Sequence, residues 1–473
     1  MKWTVVLVSE TEQGQRVEQP LLSLVRDQQV VLEHLGLTLA EGKRLLQAVQ
    51  QRMVAAQVKR HGAVYRRCGH CKRKLFTKGY QRRWFRSAFG KVPIRVRRLT
   101  SCRCQGESRR TFSSFPPSGQ HGLIAPEWLY LQAKLASLMP FARVAELLAD
   151  VLPASEGLSA ESVRTRVGHV GRRLEDEKVR EWSTHARPAT PEVLVRYPYS
   201  RRRHLDTTVG LDCGYVRNRH PRPEQHFEVV AGRARAPTGA SRCFAFVRTR
   251  AFLCPQYVQE AVAGVGGDLH HVTVLTDGDV GLRELQHEGA PHGDQVTDWF
   301  HIAMRFQVLT QTAKGIPDDP ADMRGWAIET LGRAKWHLWH GHRPRTEELL
   351  EHVHGWTQAE RPATPLAVSK LRRGLGDLRR YLHQNRYSLP SYAVRHRHGM
   401  PFSTATTEST VNQVISHRMV KRQQMRWSRD GAQRVLDVRT QVLNGTLEDT
   451  FRRWSPCFQA VGVSQISHTP HDS

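Results

Sequence analysis

The chain has 473 residues, 39% of them hydrophobic, which excludes wholesale disorder and is too long for one ordinary core, so two to four domains are expected. Lys and Arg number 71 against 44 Asp and Glu, and the formal charge of +27 is spread along most of the chain. Such a field attracts a polyanion, nucleic acid first among them, against the plainer reading of a soluble protein from an Arg-rich proteome. No apolar run reaches the roughly 18 residues of a membrane span, so no membrane partner is expected.

The opening text MKWTVVLVSETEQ has an apolar run of only Val5 to Val8, followed by Glu10 and Glu12. It is too short for a secretory signal and reads as a first strand, leaving the cytoplasm, in a bacterium including the nucleoid, as the expected compartment. Residues 35–60 put Leu39, Leu46, Val49 and Met53 on one face of an amphipathic helix, with Thr38 and Glu41 as a capping box. These two elements make an N-terminal segment, 1–60. A basic, Cys-bearing segment, 61–110, follows; then comes the linker TFSSFPPSGQHG, helical text over 120–183, and a second linker, HARPATPE. From 200 to 302 the period changes. TTVGLDCGYV, HFEVVAGRA, CFAFVRT and VTVLT read as strands, while PQYVQEAVAGV and GLRELQH read as helices. Residues 303–400 read as helical throughout, with Trp326, Trp336, Trp339 and Trp356; a last helical block, Thr406 to Leu443, lies in a closing segment 401–454, and 455–473 is expected to fray. There is no internal repeat.

Four of the eight Cys cluster, as CGHC (Cys68, Cys71) and CRC (Cys102, Cys104), with 30 residues between the pairs. The intervening text contains the hairpin-like RWFRSAFGKVPIRVRRL. Thiolates from two tight turns suit one tetrahedral structural Zn²⁺, and so short a segment needs such a staple; the plainer alternative is four unligated thiols. His70, inside the first turn, is read as a bystander. From Arg66 to Arg110 there are 16 Lys or Arg and one acid. That density points to phosphate-backbone contact, with Arg82, Arg83, Arg95, Arg97 and Arg98 as candidates. After a Gly-containing break, LSAESVRTRVGHVGRRLE starts as the second helix of a helix-turn-helix would. Arg164, Arg166, Arg172 and Arg173 would then face DNA and Val163, Val167 and Val170 the interior, although plain structural helix pairs look alike.

In HHVTVLTDGDVGLREL a β-branched run ends on Asp277, Gly278 and Asp279. Asp279 reads as the cap of the next helix, which leaves Asp277 as a ligand. TTVGLDCGYVR places Asp212 in or at the end of another strand and is preferred to Asp206. TATTESTVNQVISHR places Glu408 on a helix with Val411 and Ile415 on its buried side. Three carboxylates with few hydroxyl or imidazole partners make a poor nucleophile triad but a good cage for Mg²⁺, and basic walls would bring the phosphate. Each acid alone is equally a turn former or a solvated residue.

With these residues in place the chain resembles the DDE transposases of bacterial insertion sequences, specifically the ISKra type. VGLDCGYVR is similar to that family's first-Asp strand, VLTDGDVGLR to its second, and DWFHIAMRF to the Asp-x-x-His motif that follows. ESTVNQVISHRMVKRQQMRWSRDGAQRVLDVR is similar to its Glu helix, and LGLTLAEGKRLLQAVQ, CxxC and FGKVPIRVRRLTSCRC match as well, so the resemblance spans about 30 to 445. Cys213 departs from it, standing where many relatives have Gly. The resemblance implies a multidomain α+β chain: a zinc-ribbon-like β-hairpin and helical DNA-binding region, then an RNase H-like α/β catalytic domain interrupted by an all-helical insertion. Asp212, Asp277 and Glu408 would bind two Mg²⁺ or Mn²⁺ ions, Asp298 and His301 would brace the site or a flipped nucleotide, and Lys421, Arg422, Arg426 and Arg429 would grip the strand being cut. The insertion's Trp residues would pack in a core or stack on an unpaired base. The implied partners are double-stranded DNA, as terminal inverted repeats and target, and further copies of the chain. Two alternatives stand beside this: a zinc-containing DNA-binding protein derived from a transposase, and a metal-dependent nuclease without strand transfer. No GxxxxGK[ST] stretch is present, which disfavours an ATP-driven motor.

Overall fold

The structure is a computed structural model that describes residues 1–10, 14–26, 35–64, 67–68, 70–105, 110–114, 123–154, 156–185, 207–220, 223–248, 254–317, 323–358, 366–403, 410–420 and 425–459. The protein is mixed α+β and divides into two units, one of residues 1–175 with 445–473 and one of residues 176–444. No described helix is long and apolar enough to cross a membrane.

In the first unit, β1 (Lys2–Glu10) pairs antiparallel with β2 (Arg16–Val25), so the run at Val5 is a strand as expected. Helix α1 (Leu39–Val64) begins with the expected capping box: Glu41 N–H donates to Thr38 Oγ1 at 3.2 Å, and Thr38 N–H to Glu41 Oε2 at 2.9 Å. Its buried face is not the expected one. Leu39, Leu46 and Met53 are 62%, 42% and 48% exposed, whereas Val54 and Val58 pack on Val92, Ile94 and Val96 of a neighbouring sheet. That sheet is β3 (Phe76–Ser87), β4 (Gly90–Thr100) and β5 (Thr111–Ser113), all antiparallel. Period-2 alternation along β4 buries Val92, Ile94 and Val96 and turns Pro93, Arg95 and Arg97 to the opposite face.

Helices α2 (Pro126–Ala136), α3 (Phe141–Val151) and α4 (Ala160–His185) complete this unit up to residue 175, with Val163, Val167 and Val170 buried as expected. Helix α13 (Leu447–Trp454) belongs here too and not with the 176–444 unit. The chain stays packed beyond Ser455, where fraying was expected, because Phe458 stands edge-on to Tyr130 at 5.3 Å. Residues from 460 on lie outside the described set.

The second unit is built on β6 (Thr207–Arg217), β7 (His226–Arg235), β8 (Ser241–Val247), β9 (Val272–Thr276) and β10 (Asp294–Thr297), in the spatial order β10-β9-β6-β7-β8. β6, β7 and β8 form an antiparallel meander; β9 is parallel to β6 and β10 parallel to β9. All five residues of β9 are buried, Thr273 and Thr276 included, as expected of a strand covered on both faces. One face of the sheet packs Val209, Leu211 and Val274 against α5 (Cys254–Ala263) and α6 (Val280–Gly289). Leu275 and Val296, on the other face, enter a helical core made by α7 (Trp299–Lys314), α8 (Met323–Trp339), α9 (Arg343–Gln358), α10 (Leu366–Gln384) and α11 (Tyr392–Arg397). The all-helical reading of 303–400 therefore holds among the described residues. Trp339 packs with Trp299, Tyr392 and Phe402 in this core, Trp356 stands edge-on to Trp326, and Trp336 stays exposed beside His340. A π-helical segment, Asn412–Val420, and α12 (Arg429–Leu443) close the unit.

Candidate acidic site and cysteine cluster

In the 176–444 unit, Gly210 of β6 is aligned with Leu275 of β9, and Thr276 of β9 with Thr297 of β10. Counting equal steps onward, Asp212 and Asp277 occupy one register, and Asp277 and Asp298 another. Asp212 lies within β6, two residues past its last pair with β9, and Asp277 and Asp298 are the first residues after β9 and β10. Asp212 and Asp277 are half-buried. Their charges are felt together at Cys213: burial first, then the Glu228 carboxylate, then Asp277 and Asp212, push its thiol far above the ordinary range. Cys213 itself alternates to the other face of β6 from Asp212, beside the core of Val209 and Leu211.

The turn that carries Asp277 is held from several directions. Asp277 Oδ1 accepts from Asp279 N–H at 2.9 Å, and Asp279 caps α6 by accepting from Gly281 N–H at 2.9 Å, as the sequence led us to expect. Gly278 sits at φ +83°, and a Cβ there would meet Asn385 at 2.8 Å. Tyr381 Oη donates to the Asp277 carbonyl at 2.7 Å. On the opposite side, Arg248 Nη1 binds Glu228 at 2.9 Å and approaches Asp279 at 3.6 Å. Sequence reading missed Tyr381, Asn385, Arg248 and Glu228. Nothing local marks them, since each is recruited from an element distant in sequence.

Asp298 is fully buried: its backbone N–H donates to Thr276 O at 2.7 Å and its side chain caps α7 by accepting from Phe300 N–H at 2.8 Å. His301 Nε2 is 3.7 Å from Asp298 Oδ2, so the two residues of the Asp-x-x-His motif do meet. Glu408, Lys421 and Arg422 lie outside the described residues, as does Asp206. The chain just after Glu408 is described. A Cβ on Gly214, two residues beyond Asp212 on the same face of β6, would stand 3.0 Å from Ile415 and 3.6 Å from Val411. Ile415 is buried there as expected, although the segment winds as a π-helix. Arg426 is exposed, and Arg429 pairs with Glu224. Among the described residues, Asp212 and Asp277 are not part of any group of three or more His, Cys, Asp or Glu side chains close enough to hold one ion.

In the other unit the sulfurs of Cys68, Cys71, Cys102 and Cys104 all lie within 4.8 Å of one another, with Cys68–Cys104 at 3.5 Å and Cys71–Cys102 at 3.4 Å. A tetrahedral Zn–S length of about 2.3 Å puts sulfurs about 3.8 Å apart, so the cluster could hold a structural metal such as zinc. The local fold explains the convergence. Cys68 and Cys71 stand on a turn closed by Lys72, whose N–H donates to Cys68 O at 3.0 Å and whose φ is +57°, and Cys102 and Cys104 follow directly on β4. Backbone N–H groups of Cys71 and His70 bring the Cys68 thiol down to about 6, whereas hydrogen bonding with Cys71 and burial raise Cys104 to about 12. His70 is exposed and outside the cluster.

The basic candidates divide. Arg82, Arg95 and Arg97 share one face of the β3–β4 hairpin, while Arg83 and Arg98, one residue along, alternate to the other. Arg164 is exposed and paired with Glu161 at 2.7 Å. Arg166 is half-buried and donates to Gln132 Oε1 at 2.9 Å, and burial lowers its pKa. No protein-family model and no curated protein matches the chain.

Proposed function

We propose that the chain is a DDE transposase of the ISKra type, cutting insertion-sequence ends and joining them to target DNA. The observation that carries this reading is the sheet: an antiparallel meander with two further strands added parallel to its first strand, with Asp212 inside β6 and Asp277 just past β9, each two residues beyond the last pair of those strands. An RNase H-like domain has that strand order. The helical core following β10 occupies the place the resemblance gives to an insertion before the Glu helix, and the segment after Glu408 lies against β6 beside Asp212.

In this reading Asp212, Asp277 and Glu408 hold two Mg²⁺ or Mn²⁺ ions, which when bound supply Lewis acidity to the attacking and leaving oxygens of a phosphodiester. Tyr381 and the Arg248–Glu228 pair keep the Asp277 turn in place, and Asp298 with His301 braces the end of β10. Water, and later a 3′-hydroxyl, is the nucleophile, so no protein side chain bonds to DNA. Incubated with Mg²⁺ and duplexes bearing the flanking terminal inverted repeats, the protein should nick the ends and join them to target. Asp277→Ala and Glu408→Ala should abolish both reactions while end binding persists; full cleavage by either variant would remove the assignment. The cysteine cluster and the basic hairpin also favour a second reading, a zinc-containing DNA-binding protein descended from a transposase, which would bind those ends without cutting them.

A further inference from the structure

The outward face of the β3–β4 hairpin has an arrangement that its charge alone does not explain. Cross-strand pairing sets Tyr80 opposite Arg97, Arg82 opposite Arg95, and Trp84 opposite Pro93, and no acid falls at these positions. Two arginines directly opposed on one sheet face repel each other. Each guanidinium is instead laid over a ring: Arg82 is 5.0 Å from the Trp84 centroid, and Arg95 and Arg97 are 5.0 and 5.8 Å from that of Tyr80. Lys91 sits 4.1 Å over Trp84 as well, but it is also paired with Glu156 at 3.2 Å and belongs to the hairpin's turn end. Cation–π contact restricts the long side chains, so the array keeps its cations in fixed places. The reverse face is committed to α1 through Val92, Ile94 and Val96.

We infer that this face, Tyr80, Arg82, Trp84, Arg95 and Arg97, is a docking surface for duplex DNA, with the two-stranded ribbon entering the major groove. Three features select that partner. Opposed arginines on a face without acids call for a polyanion between them. The Trp84 ring lies under both Arg82 and Lys91, which makes it a poor platform for stacking an unpaired base and disfavours a single strand there. A two-stranded ribbon fits the major groove of B-form DNA, whereas that of A-form RNA is too deep and narrow. The inference deepens the DNA-binding half of the proposed function and is independent of its chemistry.

The test is fluorescence anisotropy of the full-length protein, without added Mg²⁺, against a mixed-sequence DNA duplex, its single strand and the matching RNA duplex. Arg82→Ala and Arg95→Ala should each lower the salt slope by about 1 and weaken duplex binding about fivefold at physiological salt, whereas Arg97→Ala, at a half-buried guanidinium, should change both less. Arg143→Ala removes the same charge from an exposed site on α3 of the same unit and should leave both unchanged. If Arg143→Ala weakens binding as much as Arg82→Ala, only net charge matters and the docking face is overturned. Tighter binding to the single strand or to RNA overturns it equally. A protein that cleaves DNA yet ignores Arg82 and Arg95 would sink this surface and leave the proposed chemistry standing; one that binds through them and never cleaves would do the reverse.

Discussion

Asp277 and Asp279, two residues apart, are not equivalent. Asp279 caps α6 and faces Arg248, so Asp279→Ala should cost about 1 kcal/mol of stability, read as a lower melting temperature, with Mg²⁺-dependent cleavage retained. Asp277→Ala loses the bond from Asp279 N–H and so should also lower the melting temperature, but unlike Asp279→Ala it should end cleavage. Gly278 is constrained twice, by φ +83° and by Asn385 against its Cα, and Gly278→Ala should cost roughly 1–3 kcal/mol in a denaturant titration. In the other unit the Arg26 guanidinium, followed by the Thr38 N–H, brings Glu41 from 4.5 to about 2. A depressed carboxylate adds stability above its unfolded pKa and loses it as pH falls through the folded value. Melting temperatures should therefore drop between about pH 4.5 and 2, and less so in Glu41→Gln. The cap and the capping box were legible because they are local; Arg26, Arg248 and Asn385 were not, because their partners come from other elements.

Among elements, α1 shows how periodicity can be right and facing wrong. Spacing finds the helix, but the buried side is chosen by the sheet it meets, and that is Val54 and Val58 on β4. Val54→Ala should cost roughly 1–2 kcal/mol while Leu46→Ala changes little, as chemical denaturation would report. The hairpin itself was visible in its alternation, and the CxxC and CxC pairs marked its base. Replacing Cys68 and Cys71 by Ser should release about one zinc per chain and weaken duplex binding, because the turns that anchor β3 and β4 lose their staple. Unchanged zinc content would remove that site. Strand β10 was missed: four residues, DQVT, carry too little pattern to stand out, and pairing with β9 makes them a strand.

For the whole molecule, the surplus of +27 is organised and not merely excess. On the hairpin, Arg82, Arg95 and Arg97 share a face on which no acid is paired with them, and in the 176–444 unit Asp212 and Asp277 each stand two residues past the last β6–β9 pair. Under the proposed function the two arrangements are complementary, the first bringing phosphate and the second holding the cations that act on it. The 303–400 helices also do more than fill a gap, because Tyr381 and Asn385 of that region touch the Asp277 turn directly.

Composition, strand periodicity and cysteine spacing were enough to identify a basic mixed α+β chain, its hairpin with four convergent thiols, Asp212 on one strand and Asp277 at the end of another, since each depends on residues close in sequence. Only the tertiary structure decided that β6 and β9 are neighbours in parallel register, which brings two acids 65 residues apart side by side. It also separated Arg82 from Arg83 and tied Arg166 to Gln132, because a side chain's direction and burial depend on what packs against its element. Sequence names the groups that can do chemistry; the pairing of distant strands determines which of them meet.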